Sequence, residues 1–156
     1  MDDKDATGVV EALIKQEEAI GRLYQAFAGR FADHEGFWSK LADEERQHAD
    51  MLRRLDVRIK AGEGRVCKEV FDGAAVQEAL AQIDRLHRDL HHPDFTIRRA
   101  LEATMAVEKA LLEKKYYEVF EGNCPEIQHI QYFLGEATQD HRDRIQAMLA
   151  GQGKTV

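Results

Sequence analysis

Proline and cysteine are nearly missing from this sequence, with two of each in 156 residues. So few prolines leave long helices uninterrupted. Cys67 and Cys124 stand far apart with no Cys-x-x-Cys pair, so the chain alone cannot build a zinc ribbon or a tetrathiolate iron site. Both cysteines read as loop or half-buried thiols in a reducing compartment. No apolar run approaches the length of a membrane span, and the polar start Met1-Asp2-Asp3-Lys4-Asp5 has nothing of a secretory signal. The expected location is therefore the cytoplasm, with no membrane partner. Positive charge is also in deficit. A net charge of -7 argues against nucleic acid or an anionic surface as the main partner and suits the attraction of cations.

What the chain does have is charge spread among apolar residues. Charged residues make up 33% against 44% hydrophobic, which fits a helical protein with solvated outer faces. The length suits one domain, 1–156, able to bury about 70% of its unfolded surface. Residues 1–6 and 151–156 are expected to be flexible tails.

The most informative stretch is Leu41-Ala42-Asp43-Glu44-Glu45-Arg46-Gln47-His48-Ala49-Asp50-Met51-Leu52. At helical spacing Trp38, Leu41, Glu45, His48, Leu52, Leu55 and Ile59 form one stripe, apolar except for Glu45 and His48. An acid and a histidine three residues apart point the same way, here toward the core. Buried ionised groups need partners or a metal.

The other helices supply candidates. Between about Thr7 and Phe31 the apolar residues Val10, Leu13, Ile20, Tyr24, Phe27 and Phe31 recur with a heptad-like period, and Glu17 fills the gap in that line. Glu18 is rotated off it by about 100°. A polar connection at 33–36 is short enough to make the second helix antiparallel to the first. The second helix should end at Gly62 and Gly64, followed by a loop to Gly73. Val76, Leu80, Ile83, His87 and Leu90 mark a shorter amphipathic helix closed by Pro93, long enough to cross from one end of a bundle to the other. His87, His91 and His92 read as helix-end residues.

A third main helix is expected from the cap residue Asp94 to about Glu121, with Leu101, Met105, Glu108, Leu112 and Val119 in one register and Lys115 on the same line. Pro125 opens the fourth, whose inner stripe reads Ile127, Gln131, Leu134, Thr138, His141, Ile145 and Met148. Each of the four long helices thus turns a polar group inward at mid-height: Glu17, then Glu45 with His48, then Glu108, then His141. Three carboxylates and two imidazoles converging in an apolar core repel and desolvate one another unless a cation or protons compensate. Each taken singly also has a plainer reading, a solvated face for Glu-x-x-His and a core aromatic for Tyr24.

Glu17 seven residues before Tyr24, the run from Leu41 to Ala49, Glu108 and His141 together resemble the ferritin-like superfamily, and within it the rubrerythrin-like proteins, over nearly the whole chain. The resemblance implies an all-α, ferritin-like four-helix bundle with a long crossover holding an extra helix between helices 2 and 3. It implies that Glu17, Glu45, His48, Glu108 and His141 hold two iron ions, or manganese or zinc in their place, with Glu45 and Glu108 as the bridging carboxylates. One departure stands out. Where the family's second Glu-x-x-His is expected, this chain has Thr138-Gln139-Asp140-His141, and neither Glu136 nor Asp140 shares the face of His141 unless a π-bulge re-aims one of them.

The implied function is an oxidoreductase acting on peroxide or dioxygen, or a ferroxidase. Its electrons would come from a separate rubredoxin-like donor protein, with Tyr24 as a candidate relay about 10 Å along the axis from Glu17. A homodimer is expected. The competing readings are a metal-binding or iron-handling protein with little turnover, and a metal-free helical interaction module.

Overall fold

The computed structural model describes residues 3–114 and 116–152. It is all-α apart from one two-residue strand pair. Helix α1 spans Asp3–Arg30, α2 Glu35–Lys60, α3 Gly73–Asp89, α4 Ile97–Lys114 and α5 Pro125–Gln152. None of these helices is long and apolar enough to cross a membrane. Of the expected tails, 1–6 and 151–156, residues from Asp3 on are already in α1 and those up to Gln152 still in α5, while 1–2 and 153–156 lie outside the described residues.

A single 3-10 turn, Ala32–His34, separates α1 from α2. Cross-links between them run in opposite senses along the two chains: Arg46 donates to Gln25 at 3.3 Å, and Arg53, one helical repeat further on, pairs with Glu18. The two helices are therefore antiparallel. Their backbones approach closely at Gly21, where an added Cβ would lie 3.4 Å from Glu45 Cβ. Helix α5 runs antiparallel to α2, with Glu126 against Arg54 and Arg58 near one end and Gln152 Nε2 3.4 Å from His34 Nε2 at the other. Helix α4 pairs with α5, and α3 packs on α1.

The periodic positions fill one core. Leu13, Ile20, Tyr24, Phe27, Trp38, Leu41, Leu52, Leu55, Leu101, Ile127, Leu134 and Ile145 are all fully buried. An aromatic group closes one end, with Trp38 5.7 Å from Tyr24 and 4.9 Å from Phe27 between ring centroids, and Phe95 stacked on Phe27. Arg30 fastens the same end by donating to the carbonyls of Leu90 at 3.0 Å and Phe95 at 3.2 Å, which would otherwise be orphaned where α3 stops.

Several boundaries differ from the sequence expectation. Helix α4 stops at Lys114, not near Glu121. Tyr116–Val119 instead form a 3-10 turn leading into β2, Phe120–Glu121, which pairs antiparallel with β1, Arg65–Val66, inside the expected 62–73 loop. Gln131 holds that turn by donating its amide to the carbonyls of Tyr117 and Phe120. Gly64 and Gly122 make the pairing possible, since a Cβ on Gly64 would sit 2.8 Å from Glu121 O and one on Gly122 2.8 Å from Glu63 O. Asp94 does not cap α4. Thr96 Oγ1 accepts from Arg99 N at 3.2 Å and does so instead. Asp72 caps α3 by accepting from Ala75 N at 2.9 Å. Gly62 ends α2 with φ +80°, as its sequence position suggests. Lys115 lies outside the described residues.

Candidate metal centre

The inward polar residues lie on four helices and are nearly sealed from solvent. Glu17 on α1 and Glu108 on α4 are 0% exposed, Glu45 and His48 on α2 are 1% and 2%, and His141 on α5 is 1%. They meet in the middle of the core. Glu45 Oε2 is 3.0 Å from His48 Nδ1, and Glu45 Oε1 is 2.9 Å from His141 Nδ1. Glu17 Oε2 lies 3.7 Å from His48 Nδ1, and Glu108 Oε1 lies 3.5 Å from His141 Nδ1. The two imidazole rings stack, with centroids 5.1 Å apart. Glu45, His48 and His141 each offer a ligand atom within 4.8 Å of the others'.

Close approach without bonding is the telling feature. His141 Nδ1, both oxygens of Glu17 and Glu108 Oε2 are buried and make no hydrogen bond of good geometry, although His141 Nδ1 lies only 2.9 Å from Glu45 Oε1. Buried polar atoms are rarely left so. Oxygen and imidazole donors converging from several helices with lone pairs unspent fit a divalent cation, and on that test the residues suit the metal that the sequence resemblance implies.

Protons offset the charge of the clustered carboxylates. Burial, with the neighbouring Glu45 carboxylate, pushes Glu17 up to about 7. Burial works against the charge on Glu45 as well, but the closeness of Glu17, His141 and His48 outweighs it and brings that carboxyl down to about 2. Burial would likewise strip the imidazoles of their protons. The neighbouring Glu17 and Glu45 carboxyls nevertheless raise His48 to about 10, and those of Glu108 and Glu45 raise His141 to about 11.

Tyr24 is fully buried and donates its hydroxyl to Glu108 Oε1 at 2.6 Å. Burial and the Glu108 carboxylate hold that phenol well above its ordinary range, so it stays a donor. Replacing it in Tyr24→Phe leaves Glu108 Oε1 without its donor and is expected to cost about 1–3 kcal/mol, read as a lower denaturation midpoint at unchanged slope. An unchanged midpoint would make the hydroxyl energetically idle.

Thr138, at the departure from the family pattern, is 2% exposed, and its hydroxyl donates to Leu134 O one turn back at 2.8 Å. That bond satisfies it within its own helix. Glu136 and Asp140 are exposed, and α5 is α-helical throughout, with no π-bulge to re-aim either. Glu44, not singled out from the sequence, does take part. It reaches from α2 to α5, where Oε2 lies 2.9 Å from His141 Nε2 and also accepts from Arg144. A carboxylate on Nε2 fixes the ring and leaves Nδ1 facing inward. Arg144, hydrogen bonding to Glu44 and His141 hold the Glu44 carboxyl low against its partial burial. Its signal in the sequence was only adjacency to Glu45, because the contact depends on the register between α2 and α5.

Beside this cluster, Glu44, His48, Phe133, Glu136, His141 and Arg144 line a cavity of about 390 Å³ between α2 and α5. Both imidazole residues are thus part of its lining. Cys67 and Cys124 are free and belong to the strand-pair end, where Cys67 N donates to Val119 O at 2.6 Å. Comparison with protein-family models, with curated proteins and with solved structures finds no match to this chain.

Proposed function

We propose that the chain is a ferritin-like, rubrerythrin-like metal protein that reduces peroxide or dioxygen, or oxidises ferrous iron, at a two-metal centre. One observation carries the reading: Glu17, Glu45, His48, Glu108 and His141 converge from four helices in a buried cluster that leaves both oxygens of Glu17 and Glu108 Oε2 unpaired. The order of α1 to α5, with α3 between the two pairs α1–α2 and α4–α5, is compatible with a ferritin-like bundle and its crossover helix. Glu17, Glu45, His48, Glu108 and His141 would hold the two ions, with Glu45 and Glu108 shared between them. Bound redox-active ions of this kind supply the two electrons that cleavage of an O–O bond consumes.

The chain's own residues do the remaining work. Glu44 holds His141 by Nε2, and Tyr24 holds Glu108 by Oε1, so the donor atoms on α4 and α5 are oriented before any ion arrives. The cavity between α2 and α5 admits a molecule the size of peroxide while Phe133, 6.2 Å from the His48 ring, contributes an apolar wall. With no Cys-x-x-Cys in the chain, the reading includes an external rubredoxin-like donor.

The experiment is metal analysis of the purified protein, then titration of its chemically reduced form with peroxide. The expected result is iron or manganese near two per chain, and consumption of about one peroxide per metal pair that stops until a rubredoxin-like donor is added; zinc in their place should consume none. Sustained turnover with a nicotinamide cofactor and no second protein would sink the donor requirement. A metal-free reading is favoured by one specific observation, the direct pairing of both imidazoles with Glu45 at 3.0 and 2.9 Å. Protein that takes up no metal after incubation with ferrous, manganous and zinc salts would establish it in place of the first.

A further inference from the structure

The five inward residues do not divide evenly between two ions. With Glu45 and Glu108 shared, the position beside His48 keeps Glu17 to itself, while the position beside His141 has no carboxylate of its own. Both oxygens of Glu17 are buried and unpaired. On the other side, the oxygen that Glu108 brings to 3.5 Å from His141 Nδ1 is Oε1, which already accepts from Tyr24 at 2.6 Å, and only Oε2 is unpaired.

Nothing on α5 makes up the difference. Thr138 stands one turn before His141 on the same face, but it is 2% exposed and its hydroxyl is spent on Leu134 O at 2.8 Å. Glu136 and Asp140 are exposed, and Asp140 pairs with Arg144 at 2.9 Å. Glu44 meets the His141 ring at Nε2, not at the inward Nδ1, and shares its carboxylate with Arg144. Charge gives the same answer. The three carboxylates Glu17, Glu45 and Glu108 more than balance one divalent ion and fall one charge short of two, and a net charge is costly to bury. A fourth carboxylate would close that gap, and Thr138 occupies the position from which α5 could supply it.

We infer that the two metal positions are unequal: the one beside Glu17 and His48 fills first and tightly, the one beside His141 fills only at much higher free metal, and Thr138 sets the difference. The inference rests on the two-metal reading and concerns how the ions are held within it. Partners outside the ligand set are worth about 10–100-fold in metal affinity, so one missing ligand carboxylate should separate the two steps by at least about 100-fold.

The test is titration of the chelator-stripped full chain with manganous ion, followed by equilibrium dialysis and electron paramagnetic resonance. Two separate steps are expected. At one equivalent the spectrum should be that of isolated ions, with coupling between ions appearing only as the second step fills. Protein loaded with two ions should keep one through gel filtration and lose the other. His141→Ala should remove the second step and leave the first within about threefold, whereas His48→Ala should remove the first. Thr138→Glu should bring the steps within about tenfold of each other, and Thr138→Val should leave them apart. If Thr138→Glu fails to fold by circular dichroism, the titration of the unmodified chain decides alone. Two equal steps there, or coupled ions from the first additions, would overturn this inference and leave the two-metal reading standing. A folded Thr138→Glu protein with its steps still as far apart would remove Thr138 as the cause. No uptake of manganese, iron or zinc at all would overturn both.

Discussion

Glu45→Ala combined with His48→Ala is expected to remove bound metal altogether while leaving the helical content of the protein intact. Glu45 is the hub of the cluster: its two oxygens meet His48 and His141, and together with His48 it occupies the inner face of α2. Losing both leaves Glu17, Glu108 and His141 on three different helices, with too few donors for two ions. Metal analysis and far-ultraviolet circular dichroism measure the two halves of this expectation. Metal content equal to that of the unmodified protein would refute the site.

The effect on the metal-free protein is a separate matter, and here the structure reverses a simple charge argument. From the sequence, removing one of several converging carboxylates promises relief of repulsion. In the structure Glu45 is the counter-ion of two imidazoliums, and its carboxyl is held at about 2. The single change Glu45→Gln should therefore destabilise the metal-free form by about 3–5 kcal/mol, the cost of leaving a buried charge without its partner. A denaturation midpoint equal to or above that of the unmodified protein would restore the repulsion argument.

A second large effect is expected from pH, with opposite signs in the two states of the protein. His48 at about 10 and His141 at about 11 stand above the ordinary histidine value of 6.5. A raised histidine contributes stability that is fully present below 6.5 and is lost as pH climbs toward the folded value. Each imidazolium makes a slope of about 1.4 kcal/mol per pH unit across that window. Glu17, raised to about 7, adds a loss of the same sign between 4.5 and 7. Glu45 acts oppositely, but only where pH falls from 4.5 toward 2. The metal-free protein should accordingly be most stable near mildly acidic pH, with a melting temperature that falls steadily from pH 6.5 to 9.

Metal binding runs the other way. An ion can use His48 and His141 only after displacing their protons, so affinity should rise with pH and uptake should release about two protons per chain near neutrality. Calorimetry in buffers of different ionisation enthalpy counts those protons, and thermal melts with and without chelator from pH 5.5 to 9 give both slopes. A chelated protein whose melting temperature is flat over that range would contradict the paired-imidazolium state.

The core stripes of α1, α2 and α5 were legible because each is a long run of one period with no competing signal. Leu13, Ile20, Tyr24 and Phe27, then Leu41, Leu52 and Leu55, are buried where that period puts them. The inward direction of Glu17, Glu45, His48, Glu108 and His141 was legible for the same reason. The end of α4 was not, because Tyr116 to Glu121 leave the helix to pair with Arg65 and Val66, and helical periodicity carries no information about a partner so distant in the chain. Glu44 escaped notice for a related cause. It stands beside Glu45 in sequence, and only the distance between two antiparallel helices decides that its carboxylate reaches His141.

The short connection between α1 and α2 also divides the cluster by origin. Glu17, Glu45 and His48 belong to one local hairpin, and Glu108 and His141 to the α4–α5 pair that follows α3. Neither hairpin holds the set by itself, so the cluster is complete only where the two hairpins meet. An ion that uses both halves then acts as a clasp fastened last: it has little to hold while the hairpins form, and its main kinetic effect is to slow their separation.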